Sequence, residues 1–192
     1  MKQHLRVAIL MTLVTTVLFG LLYPLVVTGL GQLLFPAQAN GEMILQNGKV
    51  VGSRLIGQPF SAAWYFHPRP SNAGNGYDPV APAGGASNLG PTNRQLLDRV
   101  KSDEERLRAE NPGTAIPVDL ITTSASGLDP DISPAAAEFQ IPRVARERHI
   151  SETELRILVA KHSLGRQFDM LGEPRVNVLE LNLDLDATHP KK

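Results

Sequence analysis

Residues 7–35 read VAILMTLVTTVLFGLLYPLVVTGLGQLLF. No charged side chain occurs from Val7 to Gly41, although charged residues make up 20% of the chain. At about 1.5 Å rise per residue, roughly 20 such residues cross a hydrocarbon core. The stretch therefore predicts one transmembrane helix over residues 7–30, with some tilt. A cleavable signal peptide is the rival reading, and Ala37-Gln38-Ala39 matches its cleavage pattern. Its apolar region, however, should be only about 7–15 residues long. A buried core helix fits poorly, because no face is polar enough to meet water. Lys2 and Arg6, with His4 between them, precede the span. Positive charge stays on the cytoplasmic side. Residues 1–6 are thus expected in the cytoplasm and residues 31–192 outside it, as one soluble domain.

Working outward, the remaining composition bounds the function. The chain has 192 residues, 19 basic and 19 acidic, and no cysteine. Taking away Lys2 and Arg6 leaves 17 basic against 19 acidic side chains, a net charge of about −2 for the body. That balance gives no electrostatic reason to expect nucleic acid as a partner. The absence of cysteine excludes disulfides, thiolate nucleophiles and Cys-ligated metal sites.

Inside the span, Thr12, Thr16, Gly20, Pro24 and Thr28 recur every four residues. Small and hydroxylated residues let helix backbones approach closely in lipid. The stripe reads as a face for packing on partner helices, or as ordinary Thr and Gly usage. Each four-residue step drifts about 40° on an α-helix, so the stripe winds. Pro24 removes a hydrogen bond and predicts a kink. Without an ionisable residue, the span alone offers no ion pathway.

The body begins with a hairpin signal. Met43 to Gln46, Asn47-Gly48, and Lys49 onward suit a type I′ turn, the second strand running toward Ile56. Residues 57–94 hold six Pro, six Gly and four Asn, which predicts a long irregular region. Its aromatics, Phe60, Trp64, Tyr65, Phe66 and Tyr77, argue for ordered docking rather than disorder. A helix follows over Asn93 to Ala109, with Leu96, Val100 and Leu107 on one face and a solvated charge run on the other. Val118 to Thr123 reads as a short strand. Ser133-Pro134 opens a helix, which Pro142 interrupts or restarts. Ser151 to Glu154 is a capping box, opening a helix that buries Leu155, Leu158 and Val159; Gly165 is a stop. Leu179, Leu181, Leu183 and Leu185 alternate with polar residues and predict a half-buried strand. The fold class is α+β: one transmembrane helix, then a single domain with a small sheet and several helices.

The residues that could carry chemistry are few. Ser124 and Ser126 sit in a hydroxyl cluster between a predicted strand and helix. They lack the nucleophile elbow and a spaced histidine, and turn chemistry explains them as well. A membrane-anchored serine hydrolase is nevertheless the main rival of another class, and a stand-alone periplasmic binding module is a third. The five histidines show no metal-ligand spacing. The Gly-rich run Gly84 to Gly90 carries no Lys for phosphate. Arg143, Arg146 and Arg148 would grip an anion, a lipid head group or neighbours such as Glu147. No catalytic set and no metal site are expected.

Several strings occur in order and are more specific together than any single motif. They are Gly52 to Gln58, Tyr65-Phe66-His67-Pro68-Arg69-Pro70-Ser71, Ala86 to Asn93, Pro117 to Leu120 and Thr122 to Pro130. Ile132-Ser133-Pro134, Gln140-Ile141-Pro142-Arg143-Val144-Ala145 and Gly172 to Asn182 complete the series. With them, nearly the whole chain resembles the C subunit of the Kdp potassium-transporting P-type ATPase. The resemblance implies an accessory subunit of a bacterial inner-membrane complex, without catalysis of its own. Its partners would be a channel-like A subunit, an ATP-hydrolysing B subunit and a small F subunit, besides membrane lipid. It also implies a catalytic chaperone that raises the ATP affinity of the B subunit. Gln140 matches the glutamine proposed for nucleotide contact, with ATP shared with the B subunit rather than bound independently. The charge order points elsewhere. ATP is cytoplasmic, whereas Lys2 and Arg6 put Gln140 outside, where the domain would instead cap the potassium entrance of the A subunit.

Overall fold

A computed structural model describes residues 1–81 and 85–191. It divides into two units, Met1–Val51 and Gly52–Lys192. The first unit is dominated by one continuous helix, Lys2–Leu34, long and apolar enough to cross a membrane. It is α-helical over α1 (Lys2–Thr15) and α2 (Tyr23–Leu34), with a π-helical stretch, Thr16–Leu22, between them. None of its side chains is buried.

The wider stretch lies just ahead of Pro24, the residue expected to kink the helix. Pro24 has no N–H, and its ring crowds the carbonyl four residues back. Just ahead of it, the Tyr23 N–H reaches the Leu18 carbonyl, five residues back. Such turns relieve crowding inside an α-helix without ending it. A wider turn also holds more residues, which counters the winding of the Thr12, Thr16, Gly20, Pro24, Thr28 stripe. Phe35 ends the helix, and a short α3 (Pro36–Ala39) contains the Ala37-Gln38-Ala39 triplet. The hairpin then forms as its sequence requires. Strands β1 (Met43–Gln46) and β2 (Lys49–Ser53) pair across Asn47 and Gly48, whose φ values are 51° and 75°. The second strand stops at Ser53, short of Ile56.

The second unit is built on helices α4 (Arg94–Glu110), α5 (Pro134–Arg148), α6 (Glu152–Lys161) and α7 (Val178–Thr188). A three-stranded antiparallel sheet, in the order β3 (Asp131–Ile132), β5 (Arg175–Asn177), β4 (Ser163–Leu164), completes it. Ile132 faces Val176 in the register, and Ser163 faces Val176 from the other side. The α+β class holds, with a small sheet and several helices. Asn93, Ser133 and Ser151 each accept a main-chain N–H at their helix starts, and the Ser151–Glu154 capping box is complete. The core joins Phe66, Leu120, Ile132, Phe139, Val144, Leu155, Val176, Leu181 and Leu185.

Four expectations need correction. Val118–Leu120 is a single 3-10 turn rather than a strand. Pro142 does not interrupt α5, which runs through it to Arg148. One missing N–H inside a helix is tolerable when Phe139, Ile141 and Val144 on either side are buried. Helix α6 ends at Lys161, before Gly165.

The alternating leucines belong to a helix, not a strand. Asn177 caps α7 by accepting the Glu180 N–H at 3.1 Å. Val178, Leu181, Asn182 and Leu185 are buried at helical spacing, while Leu183 is only half-buried. Helix and strand assign different weights to the leucines. Leu181→Ala should therefore cost about 3 kcal/mol of stability and Leu183→Ala about 1 kcal/mol or less. Chemical denaturation of the two variants checks this; equal losses would restore the period-two reading.

Candidate functional site

The sequence singles out Gln140, and the structure shows what surrounds it. Gln140 lies in the middle of α5 and is 1% exposed. Its carboxamide faces the main chain at His67, just after a turn over residues 62–65. Oε1 accepts the His67 N–H at 2.7 Å, and Nε2 donates to the His67 carbonyl at 3.1 Å. Nε2 also donates to the Ala136 carbonyl at 3.2 Å, and Oε1 accepts from Arg143 at 2.7 Å. All four hydrogen-bonding positions of the amide are thereby filled.

One residue earlier in the segment the device repeats. Asn182 of α7 accepts the Phe66 N–H at 2.9 Å and donates to the Phe66 carbonyl at 2.9 Å. Two carboxamides thus replace the neighbouring strand that an extended segment ordinarily needs. Phe66 is left fully buried in the core.

Two arginines finish the grip. Arg143 donates to the carbonyls of Ala63 and Tyr65, and pairs with Glu110 at 2.8 Å. Arg148 donates to the Trp64 carbonyl at 2.9 Å, the His189 carbonyl at 2.8 Å and Asp186 at 2.6 Å. Its guanidinium lies 5.0 Å from the centre of the Tyr65 ring. Tyr65 donates its hydroxyl to Asp186 at 2.7 Å. Both arginines are spent on this segment, while exposed Arg146 pairs with Glu147 at 3.2 Å. The three do not converge on one anion site. Composition and spacing gave no signal for Asn182; only its lone polar place in the apolar stripe of α7 could have revealed it.

A second cluster holds the Pro- and Gly-rich region in place. The Ser71 hydroxyl donates to the Gly127 carbonyl at 2.7 Å and accepts the Ala73 and Tyr77 N–H groups. Tyr77 donates to the Arg69 carbonyl at 2.7 Å, and burial pushes its phenol well above the usual range. Ser124, 2% exposed, accepts the Gly127 N–H, and Ser126 accepts the Leu128 N–H. Both hydroxyls shape a turn. A Cβ on Gly85 would strike the Ser126 carbonyl, so this turn also presses on the Gly-rich run. Gly84 of that run lies outside the described residues. Among the described residues, no group of three or more His, Cys, Asp or Glu side chains could hold a metal.

One depression borders the clamp, and another lies beside Arg69 and strand β3. One, of about 140 Å³, is lined by His67, Pro70, Arg106, Leu107, Glu110 and Gln140. Drug-sized ligands usually occupy about 300 Å³ or more. The other, of about 600 Å³, is open and lined by Arg69, Asp119, Asp129, Asp131 and Arg175 among others. Its charges are largely paired, Arg69 with Asp129 at 2.9 Å and Arg175 with Asp131 at 3.1 Å. Asp131 titrates above the usual carboxylate range, chiefly because it is buried.

With this geometry in hand, the relatives are informative. The family model described as "K+-transporting ATPase, c chain" matches residues 5–187. The chain belongs to the KdpC family. A "Potassium-transporting ATPase KdpC subunit" of Koribacter versatilis is 63% identical over 190 residues, covering 99% of this chain and 97% of the relative. One of Acidobacterium capsulatum is 57% identical over 188 residues, covering 97% and 100%. One of Caulobacter vibrioides is 54% identical over 191 residues, covering 99% and 96%. Family membership takes in the apolar helix and the clamped domain together.

His67 ties the clamp to pH. Its Nε2 lies 3.0 Å from the Ala62 carbonyl, which can only accept, so the neutral ring carries its proton there. Burial, then the positive charge of Arg143, lowers its pKa below the ordinary 6.5. A depressed histidine binds its proton more readily when unfolded. Its share of the stability is therefore complete above about pH 6.5 and is lost as pH falls toward the folded-state value. Denaturation between pH 7 and 5 should show wild type losing stability on acidification more steeply than His67→Gln. Parallel slopes would remove His67 from the account.

Proposed function

We propose that this chain is an accessory, non-catalytic subunit of an ATP-driven, high-affinity potassium uptake complex, stabilising the assembly. The observation that carries it is the family match across residues 5–187. The helix supports it too: it is long, charge-free from Val7 and without a single buried side chain. Its Thr12, Thr16, Gly20, Pro24, Thr28 stripe suits close packing on partner membrane helices. On this reading the partners are the channel-like A subunit, the ATP-hydrolysing B subunit and the small F subunit. The helix is a single pass in the bacterial inner (plasma) membrane, with residues 1–6 inside and the domain outside.

The finer role has two forms. In the first, the chain is a catalytic chaperone that raises the ATP affinity of the B subunit through Gln140. That role requires the Gln140 amide to release the His67 main chain, which strands a buried donor at a cost of about 1–3 kcal/mol. It also requires the domain to lie in the cytoplasm. In the second, the domain is an extracytoplasmic cap over the potassium entrance of the A subunit. The position of Lys2 and Arg6 before the helix favours this form.

Two experiments bear on these proposals. A strain lacking the gene should fail to grow at micromolar potassium and recover with the wild-type gene in trans; normal growth of the deletion strain contradicts the uptake role. A reporter active only outside the cytoplasm, fused at the C-terminus, should be active. Activity from a cytoplasm-only reporter instead would return Gln140 to the reach of ATP.

A further inference from the structure

Strands β4 and β5 are joined by a protruding turn that has no folding reason for its side chains. Gln167 and Leu171 exchange two main-chain hydrogen bonds, at 2.8 and 2.9 Å. Within that bridge the Met170 N–H donates to the Gln167 carbonyl at 3.2 Å. Phe168 and Asp169 sit between them with φ of 54° and 58°. These are the two central positions of a type I′ turn, where Asn-Gly is preferred. The same chain uses Asn47-Gly48 for that purpose elsewhere. A phenyl-bearing residue in this backbone region is strained. No packing accounts for the strain, since Phe168 is 80% exposed, and strain of this kind clusters at functional sites. Met170 and Leu171 beside it are 78% and 58% exposed. The turn holds an aromatic ring outward against its own backbone preference.

Charge narrows what could receive it. Arg166 is held by both oxygens of Glu173, at 2.9 and 2.7 Å, so the one cation of the turn is neutralised. Asp169, at the apex, has no side-chain partner among the described residues. A tip that dips into an anionic lipid surface needs free cations and no bare carboxylate. An exposed aromatic flanked in sequence by Asp169, Met170 and Leu171 instead suits a protein-docking element, since aromatic residues and Met are enriched in protein interfaces.

We propose that this turn docks onto another protein subunit of the ATPase, Phe168 filling an apolar pocket and Asp169 meeting a Lys or Arg at its rim. The proposal rests on the accessory-subunit reading and names the surface through which it operates.

The test uses the full-length chain and a detergent-solubilised pump purified from a strain lacking this gene. Phe168→Asn keeps a residue at ease in the left-handed region and removes the ring. Its thermal midpoint should equal or exceed wild type, while its affinity for the pump falls about thirtyfold. Asp169→Lys should weaken binding severalfold at low salt and less at high salt. Wild-type affinity in Phe168→Asn overturns the proposal. So does a variant that holds the pump normally but loses flotation with phosphatidylglycerol vesicles, which would make the turn a lipid contact. A wild-type chain that does not bind the pump overturns the subunit reading and this proposal with it.

Discussion

The domain depends on two side-chain carboxamides gripping two consecutive residues of irregular main chain. Gln140 from α5 holds His67, and Asn182 from α7 holds Phe66. Without these bonds the extended segment would bury unpaired N–H and C=O groups, which are costly away from water. With them, the main-chain N–H and C=O groups of Phe66 and His67 are satisfied without a neighbouring strand. Phe66 can then enter the core, bringing α5, α7 and the sheet around one ring. The arginines extend the same logic. Arg143 and Arg148 are buried charges in which each guanidinium nitrogen meets an acceptor and one carboxylate balances the charge, which makes burial of a guanidinium tolerable.

What could be read from the sequence follows the range of the interactions. Local signals read correctly: the Asn47-Gly48 turn, the Ser151–Glu154 box and the Ser133 cap are each decided within a few residues. The long apolar helix is also a local property. Signals requiring a distant partner did not read. His67 and Gln140 are 73 residues apart, and Phe66 and Asn182 are 116 apart. No spacing rule connects them. The α7 leucines failed for another reason. A Leu at every second position satisfies period two, yet Val178, Leu181 and Leu185 satisfy the helical period equally. The Asn177 cap decides between them, and it lies one residue outside the pattern.

The candidate site shows the same division. Arg143 and Arg148 look, in sequence, like an anion grip. They do bind oxygens, but those of the chain's own carbonyls and carboxylates. Ser124 and Ser126 look like nucleophiles and instead cap main-chain N–H groups in a turn. In both cases the sequence leaves an inward and an outward reading open, and the structure directs the chemistry inward. The family resemblance, by contrast, was visible along nearly the whole chain, because it depends on order and identity rather than on any one contact.

Arg148 has one more consequence. It holds the Trp64 carbonyl near the beginning of the domain and the His189 carbonyl near its end, while Lys191 lies 3.1 Å from the centre of the Trp64 ring. A domain without cysteine has thereby tied an early segment, at Trp64, and a late one, at His189, to a single guanidinium. Loosening either segment therefore removes acceptors from the same buried charge. Trimming a few residues from the C-terminus would slacken the far end of the sequence, and the aromatic segment would be the first to feel it.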